Sequence, residues 1–176
     1  MNGWAKVMAG DAETGLAELR DGLDRWRSTG SKIWGSLRLG RAAAAFIEAG
    51  DAQEGATLLT EAFQVMDGNG ERWYEAELLR LQGEVLVRSL SSRTAEAGAC
   101  FKRAVEVARS QDARLFELRA AVALSRLQCA PEQRKRRTAL VCSIYGRFTE
   151  GFDTPDLKEA RSLLDEWKGR GAPKAR

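Results

Sequence analysis

Covalent and metal chemistry in proteins draws on cysteine, histidine and grouped carboxylates, and this chain of 176 residues holds few of them in useful arrangements. It has no histidine, which removes Ser-His-Asp and Cys-His catalysis, imidazole metal sites and the usual pH switch together. Its three cysteines, Cys100, Cys129 and Cys142, are widely spaced and form no CxxC pair. They read as reduced thiols acting as small buried hydrophobes in a cytoplasmic protein. Neither GxxxxGK[ST] nor GxGxxG occurs, so the sequence offers no phosphate-binding loop. Carboxylates are numerous but scattered, with no pair standing out as an acid/base dyad. The expectation is a chain without catalytic residues, metal or cofactor.

What remains is the chemistry of recognition, carried by arginine and the large aromatics, the residue types enriched at interface hot spots. One basic run, Arg134-Lys135-Arg136-Arg137, suggests phosphate contacts, but consecutive residues point around a helix and no aromatic lies nearby in sequence. A solvated helix start is the better reading. Net charge is +3, with 7 basic and 10 acidic side chains in residues 1–70, 10 and 8 in residues 71–130, and 11 and 7 in residues 131–176. The basic C-terminal third therefore supports one alternative function, a nucleic-acid-associated regulator. No apolar run approaches the roughly 20 residues of a membrane helix, and the first ten residues lack the apolar stretch of a signal peptide.

The elements that must position these side chains repeat along the chain. Gly10-Asp11-Ala12 recurs as Gly50-Asp51-Ala52. Behind each comes a small-large-small stripe at spacing 4, 3, 4: Gly15, Leu19, Gly22, Trp26, then Gly55, Leu59, Ala62, Met66. A third copy is Ala97, Phe101, Ala104, Ala108. Such spacing puts four residues on one helical face. Asp51 followed by Glu54 has capping-box spacing, and Asp11 can cap in the same way. Between these segments the pattern predicts longer helices over Ser31–Ala49, with Ile33, Leu37, Ala44 and Ile47 on one face, over Glu71–Leu90, and over Asp112–Gln128. Pro131 opens a helix to about Phe148, and Thr154-Pro155 opens a last one with the stripe Leu157, Ala160, Leu164, Trp167.

Each period thus reads as helix A, turn, helix B, turn. The expected fold is all-α, an α-solenoid of stacked antiparallel helix pairs with a period of about 40. Residues 1–151 form about four repeats, the first truncated to a stub of helix A at Gly3–Ala9. Residues 152–168 form a C-terminal capping helix, and 169–176 a basic disordered tail. Turns are expected near Gly10, Gly30, Gly50, Gly70, Leu90–Ser92, Gln111, Cys129–Pro131 and Gly151–Asp153.

The spacing of Ala97, Phe101 and Ala104 resembles the small-aromatic-small signature of helix B in tetratricopeptide repeats, although that family's usual period is about 34. Three stretches extend the likeness: Gly70-Glu71-Arg72-Trp73-Tyr74-Glu75-Ala76-Glu77-Leu78, Ala113-Arg114-Leu115-Phe116-Glu117-Leu118-Arg119-Ala120-Ala121, and Tyr145-Gly146-Arg147-Phe148-Thr149-Glu150-Gly151-Phe152-Asp153-Thr154-Pro155-Asp156-Leu157. They look like the C-terminal repeats of large bacterial signalling proteins, in which a nucleotide cyclase or DNA-binding domain precedes a predicted ATPase module. The resemblance implies a protein-interaction or regulatory module and no catalytic residue, because that family's chemistry lies in its other domains. It also implies either a piece of a longer protein or a reading frame that keeps only the repeats.

In such a solenoid the A helices line the concave face, which nominates Trp34, Arg38, Arg72, Trp73, Tyr74, Arg80, Arg114 and Arg119 as partner-binding residues. The expected partner is a protein or peptide. The chaperone-type carboxylate clamp is not expected, since Asn2 and Asn69 are the only asparagines and neither falls inside an A helix. With only a stub of helix A before it, the first stripe should lack cover, which makes Trp4, Leu19 and Trp26 the candidate contacts of a homodimer.

Overall fold

The computed structural model describes residues 2–88 and 93–171. The described residues form nine α-helices and no strand: α1 (Asn2–Met8), α2 (Ala12–Ser28), α3 (Gly35–Glu48), α4 (Ala52–Asn69), α5 (Glu75–Arg88), α6 (Thr94–Ser110), α7 (Arg114–Arg126), α8 (Pro131–Tyr145) and α9 (Pro155–Gly171). A single 3-10 turn, Arg72–Tyr74, leads into α5. The expected turn at Leu90–Ser92 lies outside the described residues. Helix α9 runs through Gly171, beyond the end expected for the capping helix and into the stretch expected to be a tail.

The repeated aspartates act as the sequence suggests. The Asp11 carboxylate accepts from the Thr14 amide at 3.3 Å and Asp51 from the Glu54 amide at 3.0 Å, each satisfying one free donor of a helix start. The chain leaves these helical segments through Gly10, Gly30, Gly50 and Gly70, all at positive φ, a conformation that costs a residue with a Cβ about 1 kcal/mol or more. At the equivalent later turn Asp112 takes the same left-handed conformation, at φ 50°. Thr154 stands at the N-cap position before Pro155, its carbonyl accepting from the Lys158 amide at 3.0 Å and its hydroxyl donating to the Gly151 carbonyl at 2.6 Å.

Successive helices pack as pairs, α1 on α2, α3 on α4 and α5 on α6, while α1, α3, α5, α7 and α9 also touch one another in order along one side. The stripes decide how closely the pairs approach. Gly55, Leu59, Ala62 and Met66 of α4 are buried, as are Ala97, Phe101, Ala104 and Ala108 of α6. Phe101 is 1% exposed and sits between α5 and α7, against Leu86, Ala123, Leu124 and Leu127. Its ring occupies the space above Gly83, where a Cβ would come under 3.0 Å from three ring atoms.

The first stripe is better covered than its truncation implied. Gly15 meets the Gly3 carbonyl and Val7 of α1, Leu19 packs on Gly3, and Trp26 lies over Gly35 of α3. Only Gly22 faces open space among the stripe residues. Trp4 turns into the molecule, with the Arg41 guanidinium 4.4 Å from its ring centroid. The three residues nominated for an N-terminal dimer are thus half-buried by intrachain partners. At the other end α9 buries Leu157, Ala160, Leu163 and Leu164 and exposes Lys158, Glu159, Arg161, Ser162, Asp165 and Glu166.

Two local expectations fail. Helix α3 begins at Gly35, not Ser31, because Trp34 adopts a left-handed conformation at φ 54° that breaks the helix before it. Ile33, expected on the buried stripe, therefore stands in the preceding turn, 66% exposed. Of the cysteines, none is fully buried: Cys100 and Cys129 are half-buried and Cys142 is exposed.

Candidate functional site

A groove of about 580 Å³ runs across the side where the odd-numbered helices meet. Every helix lining it is odd-numbered: α1 gives Trp4 and Met8, α3 Leu37 and Ala44, α5 Leu81, α7 Phe116 and Val122, and α9 Asp156 and Glu159. Tyr74, from the 3-10 turn, also lines it. The volume lies within the usual range of ligand clefts, about 300–1,000 Å³.

Three of the arginines in this groove recur at a fixed interval in the sequence. Arg41, Arg80 and Arg119 stand 39 residues apart, one on each of α3, α5 and α7, and all three line it. Arg41 covers Trp4. Arg80 forks onto Glu77, with nitrogens 2.9 and 3.1 Å from its two carboxylate oxygens, and reaches Glu84 at 3.3 Å. Arg119 forks onto Asp156 of α9 at 2.7 and 2.9 Å and donates to Glu77 at 3.3 Å. Glu77, only 4% exposed, therefore bridges two arginines on neighbouring helices.

Burial opposes the charge on Arg80, but Glu77 and Glu84 together offset it and hold the guanidinium above its ordinary range. Hydrogen bonding to Asp156 raises Arg119 further, against the opposing effect of burial. Burial pushes the Tyr74 phenol up, and the neighbouring Glu77 charge adds to that. At the groove ends Arg126 pairs with Glu159 at 2.7 Å, and Arg88 donates to the Ile47 carbonyl at 2.7 Å and to Glu48 at 3.2 Å.

Five arginines and five carboxylates thus line one cleft, and its formal charges cancel. An anionic polymer would meet no surplus of cations here, and each of the five carboxylates is paired with an arginine. No group of three or more potential metal ligands occurs among the described residues. Ion pairs order the cleft's charged side chains, and its apolar lining includes Phe116, half-buried, with Tyr74, Leu81 and Val122, which are nearly covered.

Of the eight nominated residues, Tyr74, Arg80 and Arg119 come together in the groove and the other five do not. Trp34 is 56% exposed at the start of α3, and Arg38 follows it on the first turn, also exposed. Arg72 is held by Asp67 at 2.8 Å and Glu75 at 3.3 Å, beside an exposed Trp73. Arg114 lies 3.5 Å from Asp112. The nominations missed Trp4, Arg41, Glu77, Arg126 and Asp156. For Arg41 the signal was available, since it completes the 39-residue series through Arg80 and Arg119.

A second buried carboxylate lies away from the groove. Glu117 of α7, 1% exposed, receives Arg109 at 2.9 Å and Arg147 at 2.8 Å. The basic run at 134–137 is partly engaged. Arg137 donates to the Leu124 and Leu127 carbonyls at 2.8 and 3.1 Å, closing the end of α7, and Lys135 pairs with Glu132 at 3.2 Å.

No family model, curated protein or solved structure matches this chain.

Proposed function

We propose that this chain is a non-catalytic interaction module, a tetratricopeptide-like α-solenoid whose odd-numbered helices form a peptide-binding concave face. The observation that carries the reading is the arginine series Arg41, Arg80 and Arg119, one per repeat at a spacing of 39 residues, in a charge-balanced groove that apolar side chains also line. In the setting the resemblance implies, the module is the sensor or scaffold of a bacterial signalling ATPase or cyclase and acts in the cytoplasm. No described helix is long and apolar enough to cross a membrane. The nucleic-acid alternative loses ground because two of the four cations at 134–137 are occupied within the chain.

A peptide-display selection against the immobilised chain tests the reading. Ala44 lines the groove and is half-buried, so Ala44→Trp places a bulky ring in it without removing any ion-paired side chain. Selected peptides are expected to lose at least about tenfold in affinity on Ala44→Trp, and to be indifferent to changes at Lys102, an exposed residue of α6 away from the groove. Peptides that bind the plugged and native chains equally would overturn the assignment.

A further inference from the structure

The turns that precede the odd-numbered helices form a continuous edge. Asn69, the last residue of α4 before the second turn, donates to the Lys32 carbonyl of the first at 3.3 Å. Gln111 of the third donates to the Arg72 carbonyl of the second at 2.8 Å. Arg147, leading into the fourth, reaches Asp112 of the third at 3.4 Å. Along this stitched row one register position recurs at intervals of 39, 39 and 40 residues, occupied by Trp34, Trp73, Asp112 and Phe152. The three aromatics are exposed by 56%, 44% and 47%, and Ile33 and Leu115 beside them by 66% and 37%. Single exposed apolar residues are ordinary on a protein surface. A row of them at one repeat register, with Trp34 held in a left-handed conformation that bulky residues rarely adopt, is not.

Charge decides what such a row fits. Arg72 and Arg114, in its middle, are already paired. At the first turn Lys32 and Arg38 are exposed and make no ion pair among the described residues; at the fourth, Glu150 and Asp153 are exposed and make none either. One end is positive and the other negative. An anionic lipid surface or a nucleic acid calls for cations along the whole row. A row with opposite charges at its ends matches a reversed copy of itself, as a two-fold interface requires.

We infer that this edge is a self-association surface on which two copies dock antiparallel, Trp34, Lys32 and Arg38 of each meeting Phe152, Glu150 and Asp153 of the other. The two-fold axis passes between the second and third turns, so Trp73 of one copy lies against Leu115 and Arg114 of its mate. Aromatic side chains bury about 150–250 Å² each when fully covered, so the exposed parts of these five side chains offer roughly 500 Å² per copy. About 1,000 Å² over both copies is near the lower limit for a specific interface, and the dimer is accordingly weak and reversible. The surface is separate from the groove, so the inference stands or falls independently of the peptide-binding reading.

Sedimentation velocity of the whole chain from about 1 to 200 µM is the test, a range that brackets a weak dimer. The native chain is expected to shift from monomer to dimer across it. The double variant Lys32→Glu with Arg38→Glu sets four acidic groups against one another at each end of the interface, and Glu150→Lys with Asp153→Lys does the converse. Each alone is expected to weaken the dimer at least about tenfold. Mixed in equal amounts, the two variants restore opposite charges at both ends, and a heterodimer is expected to recover native affinity. Ala44→Trp leaves the dimer unchanged. All substituted charges are exposed, and unchanged melting curves confirm that the variants fold. A native chain that stays monomeric, a dimer that survives both swaps, or a mixture no tighter than either variant overturns the inference.

Discussion

Glu117 offers a sharp test of the repeat register. Counting back by 39 residues from Glu117 reaches Leu78 and then Leu39, both fully buried. The third copy thus carries a carboxylate where two others carry leucine. Arg109 and Arg147, its partners, have side chains 58% and 42% exposed, so removing Glu117 strands no buried charge. Glu117→Leu gives up two charge-assisted hydrogen bonds, each at the low end of about 1.5–3 kcal/mol because the donors are half in water. It gains the burial of leucine, about 1.5–3 kcal/mol, and removes the several kcal/mol spent on desolvating a carboxylate. The balance is neutral to stabilising by about 1–2 kcal/mol, or a rise of up to about 6 °C in Tm for a chain of this size. The reverse change, Arg109→Met with Arg147→Met, leaves a carboxylate 2% exposed without a cation. That costs about 3–5 kcal/mol and lowers Tm by about 10 °C. Calorimetric melts of the three proteins distinguish the outcomes. If Glu117→Leu destabilises as much as the double arginine variant, position 117 is not equivalent to 39 and 78, and the 39-residue register fails.

Other outcomes follow from the packing and the titrating groups. Phe101→Ala removes a ring that fills the space between α5 and α7 and should cost about 3–5 kcal/mol, read as a fall in Tm; an unchanged melt contradicts the stripe. Tyr74 has its pKa raised in the folded state above the ordinary phenol value of about 10, so above that pH the unfolded chain releases a proton that the folded chain keeps. Stability therefore falls as pH rises through about 10, and Tyr74→Phe should flatten the alkaline limb of a denaturation series. Among the thiols, burial pushes Cys100 up while Cys142 is exposed, so limited alkylation near pH 8 should label Cys142 first by mass spectrometry, on the order of tenfold faster.

The helices were legible because their signals are local. Asp11 and Asp51 cap where their spacing to the next amides says they should, and alternating small and large residues in α4 and α6 set the depth of packing. The 4, 3, 4 spacing of Ala97, Phe101, Ala104 and Ala108 needs no tertiary knowledge to define a face. The start of α3 was not legible, because the left-handed conformation of Trp34 is a non-glycine exception that local preference argues against. The groove was half legible. Residue type alone favoured Trp73 and Arg72, which the structure leaves on the turn edge, while Glu77 and Asp156 acquire their roles only when Arg119 reaches across from α7. Partners on helices distant in sequence leave no trace in any one segment. The cover over the first stripe was missed for the same reason: it depends on Gly3 and Gly15 meeting across two helices.

The central claim, that one helix per repeat builds a binding groove, is tested most directly by methyl NMR of the chain titrated with a display-selected peptide. Shifts are predicted at Ala44, Ile47, Leu81, Val122 and Ala123, which line the groove on α3, α5 and α7. Leu59, Ala62 and Ala104, buried in the stripes of α4 and α6, should stay in place. Shifts confined to the even-numbered helices, or to Ile33 and Leu115 on the turn edge, would contradict the account.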